Sequence, residues 1–117
     1  MEEEQDGVKL LDKHISRFYI FFIVYIKMMS KLFVEFLGTL FLVFIILATG
    51  NYLAIGAALA VAVLLGGAIS GGCFNPAVTL AVFAAGKIAA SDIVPYIVAQ
   101  IAGAMVAVEL VKLVLKR

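Results

Sequence analysis

Ile69-Ser70-Gly71-Gly72-Cys73-Phe74-Asn75-Pro76-Ala77-Val78-Thr79 is the stretch of sequence that decides the fold. It lies inside a run of 51 residues, 36–86, that contains no Asp, Glu, Lys, Arg or His. As one helix this run would be roughly 76 Å long, whereas a bilayer core is about 30 Å thick and needs about 20 residues. The run is therefore too long for a single span, and the glycines with the Asn-Pro pair mark where it breaks.

The composition is that of an integral membrane protein. Of the 117 residues, 65% are hydrophobic, and the mean hydropathy is +1.17. Soluble domains contain about 45–50% apolar residues. A formal charge of +1, with no basic patch between aromatic residues, gives no support to a nucleic-acid partner. The acidic start does not fit a secretory signal, and a single cysteine excludes an intrachain disulfide.

Three spans and one half-helix account for the apolar sequence. We expect multi-pass insertion with spans at about 29–49, 53–69 and 92–115, and a re-entrant loop with its half-helix at about 70–86. From Pro76 to Gly86 only 11 residues remain, roughly 16 Å of helix, or half a membrane. The predicted fold class is an all-α membrane protein with three transmembrane helices plus one re-entrant half-helix.

Residues 1–28 are predicted to form a polar tail followed by an aromatic segment. The tail, 1–17, carries five acidic and three basic residues, and reads as a solvated stretch or a short interfacial helix. The segment 18–26 is too short to span a membrane, and its rings suit the headgroup region. The alternative is that it begins a tilted first span, which would place Lys27 and Lys31 inside the membrane at high cost.

Asn75 and Pro76 predict where the half-helix begins. Asn is among the best N-caps, and Pro at the first helical position loses no needed hydrogen bond. The positive end of the helix dipole then lies at mid-membrane, where irregular backbone is tolerated only if it is buried in protein or lines a watery cavity. We expect the carbonyls of 70–74 to accept from a permeating polar molecule and the Asn75 amide to donate to it, while positive helix ends repel cations. The alternative is a proline kink in a third full-length span.

Polar and small residues elsewhere in the spans have predicted structural roles. Glu35 and Gln100 are lone polar side chains deep in the first and third spans, and we expect them to brace the loop through its backbone. The sequence shows no nucleophile–base pair, metal-ligand cluster or cofactor motif, which disfavours an enzyme. Small residues at four-residue spacing let helices approach closely, and Ser91 is a predicted cap for the third span. The glycines expected at helix contacts are Gly38, Gly67 and Gly103.

Three motifs, in this order, resemble the first, N-terminal repeat of the aquaporin family (major intrinsic proteins). Leu32-Phe-Val-Glu-Phe-Leu-Gly-Thr39 is similar to the family's first-span Ala-Glu-Phe-x-Gly-Thr signature. Residues 69–79 are similar to its Ile-Ser-Gly-Gly-His-x-Asn-Pro-Ala-Val-Thr loop, and Ala99-Gln100-Ile-Ala-Gly103 to its third-span Ala-Gln-x-x-Gly. The resemblance covers about 29–115. It implies a channel for water and small neutral solutes such as glycerol, in which Asn75-Pro76-Ala77 is one of two central motifs and Glu35 and Gln100 brace the loop.

The chain departs from the family pattern at three points. The family contains this unit twice, in inverted orientation, whereas this sequence contains one copy. Cys73 stands in place of a loop histidine. The second-repeat motif, in which an arginine follows Asn-Pro-Ala, is missing, and Val78 occupies that place. Counted back from the motif, the second-span filter position is Ile55. A filter built from Val78 and Ile55 would be apolar and would lack a fixed charge. The residues expected to line the pore are Ile55, Gly71, Gly72, Cys73, Phe74, Asn75, Pro76, Ala77 and Val78.

One half-helix that reaches the midplane leaves a groove rather than a pore. A second copy in the opposite orientation restores the inverted pair, which requires that the chain insert into the bilayer both ways. With the tail included, six basic residues on one side oppose three on the other. Near the span ends the numbers are equal: Lys27, Lys31 and Lys87 against Lys112, Lys116 and Arg117. We predict an antiparallel dimer or a higher homo-oligomer; the alternative is a non-conducting truncated relic, or a subunit that associates with full-length channels.

Cys73 allows a chemical test of this interpretation. It lies two residues before Asn75 and is expected to face the pore. A mercurial should therefore reduce conductance, and Cys73→Ser should resist that inhibition.

Overall fold

The computed structural model describes residues 1–116, which form four α-helices. Helix α1 covers Glu2–Thr49, α2 Tyr52–Ser70, α3 Pro76–Ala84 and α4 Ala90–Leu115. Three of them, α1, α2 and α4, are long and apolar enough to cross a membrane, whereas α3 has nine residues. The prediction of an all-α membrane protein with three spanning helices is confirmed. Arg117, counted above among the basic residues, lies outside the described range.

Helix α1 is much longer than the first span expected from the sequence. It has 48 residues, which corresponds to roughly 72 Å at 1.5 Å per residue. No Pro or Gly between Gly7 and Gly38 could kink it. The segment 1–28 therefore continues straight into the span, and every residue from 1 to 27 is exposed. The point along α1 at which the membrane begins stays a prediction.

The starts of α2 and α4 differ in how they are capped. Asn51 caps α2, because its Oδ1 accepts from the N–H groups of Leu53 at 2.9 Å and Ala54 at 3.0 Å. The predicted cap Ser91 is wrong: α4 begins at Ala90, after an extended Ala89 whose side chain makes no capping bond. Ser91 therefore lies inside the helix.

Helix α1 is the centre of the bundle, since α2 and α4 both pack against it, and α3 packs against α4. Gly103 of α4 has no room for a Cβ atom, which would collide with the Phe36 carbonyl oxygen of α1. On α2 the buried face repeats every four residues: Ala58, Ala62, Gly66 and Ser70.

Two of the three glycines predicted at helix contacts have other surroundings. A Cβ on Gly66 would lie 2.5 Å from Val34 Cγ1, so Gly66, not Gly67, is the glycine of the α1–α2 contact. The nearest atom to a Cβ on Gly67 would be Val63 Cγ1 of the same helix, at 3.6 Å. Gly38 accommodates the ring of Phe74 rather than a helix. Within 1–116, α2 and α3 share no helix–helix contact, which leaves one side of the connecting loop open.

Candidate functional site

Residues 71–75 connect α2 to α3 through a sharply turned backbone. Gly71 and Gly72 have φ values of 91° and 65°, which glycine adopts without a Cβ clash. Phe74 has φ 54°, a conformation that costs a residue with a side chain roughly 1–2 kcal/mol. Its ring is 2% exposed and lies against Gly38. The loop is thus fixed to α1 by packing as well as by hydrogen bonds.

The carboxylate of Glu35 holds the loop from the α1 side, and it is fully buried. Its Oε1 accepts from Ser70 Oγ at 2.7 Å and from the Cys73 N–H at 3.0 Å. Its Oε2 accepts from the Phe74 N–H at 2.7 Å and from Gln100 Nε2 at 2.9 Å. All four partners are donors, as an acceptor-only carboxylate requires. Without Glu35, two loop amides would be buried in apolar surroundings with no partner.

Gln100 joins the loop to the half-helix. Besides Glu35, its Nε2 reaches Thr79 Oγ1 at 2.8 Å, and that hydroxyl donates to the Asn75 carbonyl at 2.9 Å. The reversed amide orientation would place an oxygen against the Glu35 carboxylate, so the bonding network fixes the assignment. Gln100 Oε1 is buried without a protein partner in the described part of the chain. Glu35 and Gln100, 65 residues apart in sequence, meet directly.

The expected ladder of five free carbonyls is wrong, because both of its ends are occupied. The Tyr96 hydroxyl donates to the Ser70 carbonyl at 2.6 Å, and Thr39 Oγ1 donates to the Phe74 carbonyl at 3.1 Å. The carbonyls of 71–73 accept no hydrogen bond from residues 1–116. Three successive carbonyls are therefore unpaired within the described residues, and two of them belong to the exposed Gly71 and the half-buried Gly72, where a molecule outside the chain can approach.

Asn75 caps α3 and leaves half of its amide free. Its Oδ1 accepts from the N–H groups of Ala77 at 2.7 Å and Val78 at 3.4 Å, and Pro76 takes the first helical position. The residue is exposed, and its Nδ2 donates to no acceptor among the residues described. The amide can therefore donate to an external molecule at the positive end of the α3 dipole.

The remaining residues expected to line a pore divide between the surface and the interior. Gly71, Ala77 and Val78 are exposed, and Ile55, Gly72 and Pro76 are half-buried. Cys73 and Phe74 as whole residues are only 3% and 2% exposed. Their assignment as pore-lining side chains is corrected here: with both amides bound to Glu35, the two side chains are enclosed in the bundle. Of these two residues, only Cys73 has a carbonyl without a hydrogen-bond partner within 1–116.

Four hydroxyl groups of this network were missed by the sequence analysis. Thr39 lies four residues after Glu35, Thr79 four after Asn75, and Tyr96 four before Gln100. Residues at that spacing share a helix face, which was the signal that could have identified them. Ser70, the fourth, follows the buried series of α2. No metal-binding group of three or more His, Cys, Asp or Glu occurs within 1–116.

Comparisons with known proteins agree with the motifs. The family model "Major intrinsic protein" matches residues 23–117. Glycerol uptake facilitator protein-like 6 of Lactiplantibacillus plantarum is 47% identical over 93 residues, 72% of this chain and 43% of that protein. Aquaporin Z of Brucella melitensis is 44% identical over 96 residues, 68% of this chain and 42% of that protein. Aquaporin Z of Photorhabdus laumondii is 37% identical over 95 residues, which are 68% of this chain and 41% of that protein. The chain spans less than half the length of these relatives, and no solved structure matches it.

Proposed function

This chain belongs to the major intrinsic protein family, and we propose that it is a channel subunit for passive permeation of water and small neutral solutes such as glycerol. The observation that carries the proposal is the two-sided loop. Its inner side is hydrogen-bonded to the bundle, while its other polar groups, the Asn75 amide and the carbonyls of 71–73, have no partner within 1–116. Water and polyols both donate and accept hydrogen bonds. Either can therefore replace its hydrogen bonds to bulk water with hydrogen bonds to these groups.

Glu35 and Gln100 act in this proposal as positioning residues. They do not reach the open side, since both are buried, and they bind the backbone and side chains from behind. Their task is to keep irregular backbone satisfied at a depth where lipid offers no hydrogen bonds. The bundle, and not the solute, then holds the three carbonyls and the Asn75 amide in position.

A closed pore requires a second wall, and we propose that a second, antiparallel copy supplies it. The described residues contain one half-helix, whose Asn75 is exposed rather than covered. A two-fold axis in the membrane plane would bring a second Asn75 to the opposite side of the path, with its half-helix dipole reversed. The two positive helix ends would then face each other at the midplane, which disfavours a cation there.

Stopped-flow light scattering on proteoliposomes tests this function. We expect the purified chain to raise water permeability above that of empty liposomes, and glycerol is tested in the same way. Asn75→Asp keeps the capping oxygen but removes the amide donor and adds a charge, so permeability should fall at least roughly five-fold. The matched control is Asn51→Asp, because Asn51 caps α2 with the same pair of bonds, away from the loop.

Two outcomes would contradict the proposal. Permeability equal to that of empty liposomes would remove the stand-alone channel and favour the non-conducting subunit. Equal losses in Asn75→Asp and Asn51→Asp would show that helix capping, rather than the exposed amide, is what the permeability depends on.

A further inference from the structure

A polar pocket of about 310 Å³ lies at the Gly71 end of the loop. Lys31 of α1, Asp92 and Tyr96 of α4, and Lys87 contribute to its lining. Gly71, whose carbonyl is the first unpaired acceptor of the loop, also lines this pocket. The pocket therefore lies at one end of the proposed path, on the side where α2 ends and α4 begins.

The charges around this pocket are unbalanced. Lys31 Nζ lies 3.6 Å from Asp92 Oδ2, and the Asp92 side chain is 6% exposed, so this pair is a fixed part of the wall. Lys87 is exposed and forms no ion pair with any residue from 1 to 116. Lys27 lies on the same side and lines an adjacent pocket together with Lys31 and Asp92. Three ammonium groups thus accompany a single carboxylate.

We propose that Lys87, supported by Lys31 and Lys27, gives this mouth a positive potential that excludes cations from the pore. The inference rests on the proposed function, because it names the charge selectivity of the same path. Val78 follows the Asn-Pro-Ala motif, so that position supplies no charge. The exclusion acts where the solute enters, and low-dielectric walls focus the field at such a cleft.

The antiparallel arrangement places this charge at both ends of the pore. The lysine-rich end of one copy lies beside the turn between α1 and α2 of the other, and residues 49–52 of that turn carry no charge. Each mouth therefore has the same sign of potential, with nothing on the facing turn to cancel it. Within about 8–10 Å, the screening distance at ordinary salt, a cation at the Gly71 carbonyl experiences this field.

Thiol reactivity measures the potential whether or not the chain conducts. A cysteine at Ala89, which is exposed and lines the pocket, is compared with 2-mercaptoethanol, a neutral thiol free in solution. The ratio of reaction rates with an anionic and a cationic methanethiosulfonate reagent should be about five-fold higher at position 89. Adding Lys87→Glu should remove that preference, and 0.5 M salt should reduce it to less than about two-fold. The wild-type chain measures the background from the buried Cys73.

Lys13→Glu is the matched control, with the same charge change on the same side of the membrane. It lies 18 residues before Lys31 on α1, roughly 27 Å along the helix and well beyond the screening distance. It should leave the reagent ratio unchanged. A ratio at position 89 equal to that of free 2-mercaptoethanol, or equal effects of Lys87→Glu and Lys13→Glu, would overturn the inference.

Ion flux in proteoliposomes provides the second readout. Proton entry is followed with a trapped pH dye under a potassium diffusion potential, and water permeability is measured on the same vesicles. Lys87→Glu should raise proton entry about five-fold at unchanged water permeability. Unchanged proton entry in vesicles that conduct water would contradict the inference alone. Absent water flux together with a charge-dependent reagent ratio would contradict the proposed function and leave the positive mouth standing.

Discussion

The two sides of the loop 70–79 differ in how their polar groups are satisfied. On the inner side, the amides of Cys73 and Phe74 bind Glu35, and the carbonyls of Ser70 and Phe74 bind hydroxyls from α4 and α1. On the outer side, three carbonyls and the Asn75 amide have no partner within 1–116. One short segment thus combines a hydrogen-bonded support with polar groups that have no partner in the bundle. Substitutions on the inner side should change stability, and those on the outer side should change permeation.

The largest effect is expected for Glu35→Ala. It leaves two backbone amides and the Ser70 hydroxyl without an acceptor in the bundle, and it removes one of the two hydrogen bonds from Gln100 Nε2. The loss should cost about 3–5 kcal/mol of unfolding free energy. Unfolding by SDS in mixed micelles, followed by circular dichroism, measures the loss. Glu109→Ala, at an exposed carboxylate on α4, should change the free energy by less than about 0.5 kcal/mol. Equal losses in the two variants would show that Glu35 does not hold the loop.

Glycine positions separate the packed side of the bundle from the open side. Gly103→Ala should destabilise the fold by about 2 kcal/mol, because its Cβ would collide with the α1 backbone at Phe36. Gly56→Ala is the matched change on α2, where nothing lies within 4 Å of the added atom, and helix propensity should stabilise it by up to about 1 kcal/mol. The same SDS-unfolding assay measures the change in unfolding free energy for both variants. A loss at Gly56 as large as that at Gly103 would mean that α2 is covered there.

Cysteine accessibility tests the orientation of the loop side chains. Native Cys73 is 3% exposed, whereas Val78 is 42% exposed. A thiol reagent should therefore react at least roughly ten-fold faster with Val78→Cys, in a Cys73→Ser background, than with native Cys73. Rates from mass spectrometry of the folded protein give the ratio. Fast modification of native Cys73 would favour the earlier expectation that it faces the pore and is mercurial-sensitive.

The smallest effect should come from Tyr96→Phe. It removes one hydrogen bond, that to the Ser70 carbonyl, while the ring stays buried, and should cost about 1 kcal/mol. The SDS-unfolding assay is sensitive enough when the variant is compared with Tyr52→Phe, whose ring is 80% exposed. A null result at Tyr96 would show that this end of the loop is held by Glu35 alone.

The sequence was sufficient to predict the fold where segment length or a local cap decides it. The charge-free run 36–86 is too long for one span, and Asn75-Pro76 starts α3 where such a pair should. Gly66 and Gly67 could not be told apart, because neighbouring residues on a helix differ only in the direction they face, which tertiary contacts determine. The inward orientation of Cys73 and Phe74 depends on a left-handed backbone conformation at Phe74. The residue types in the loop do not predict that conformation. The length of α1 was also missed, since an acidic and an aromatic segment can both continue one helix.

The antiparallel second copy is the central claim, and the orientation of the chain in a cell membrane tests it most directly. A cysteine introduced at Thr49 marks the end of the chain opposite the lysine-rich mouth. A membrane-impermeant thiol reagent is added to intact cells and, in parallel, to inverted vesicles. The account predicts labelling from both sides, in roughly equal fractions, as the balanced basic residues at the span ends allow. Labelling from one side only would contradict it.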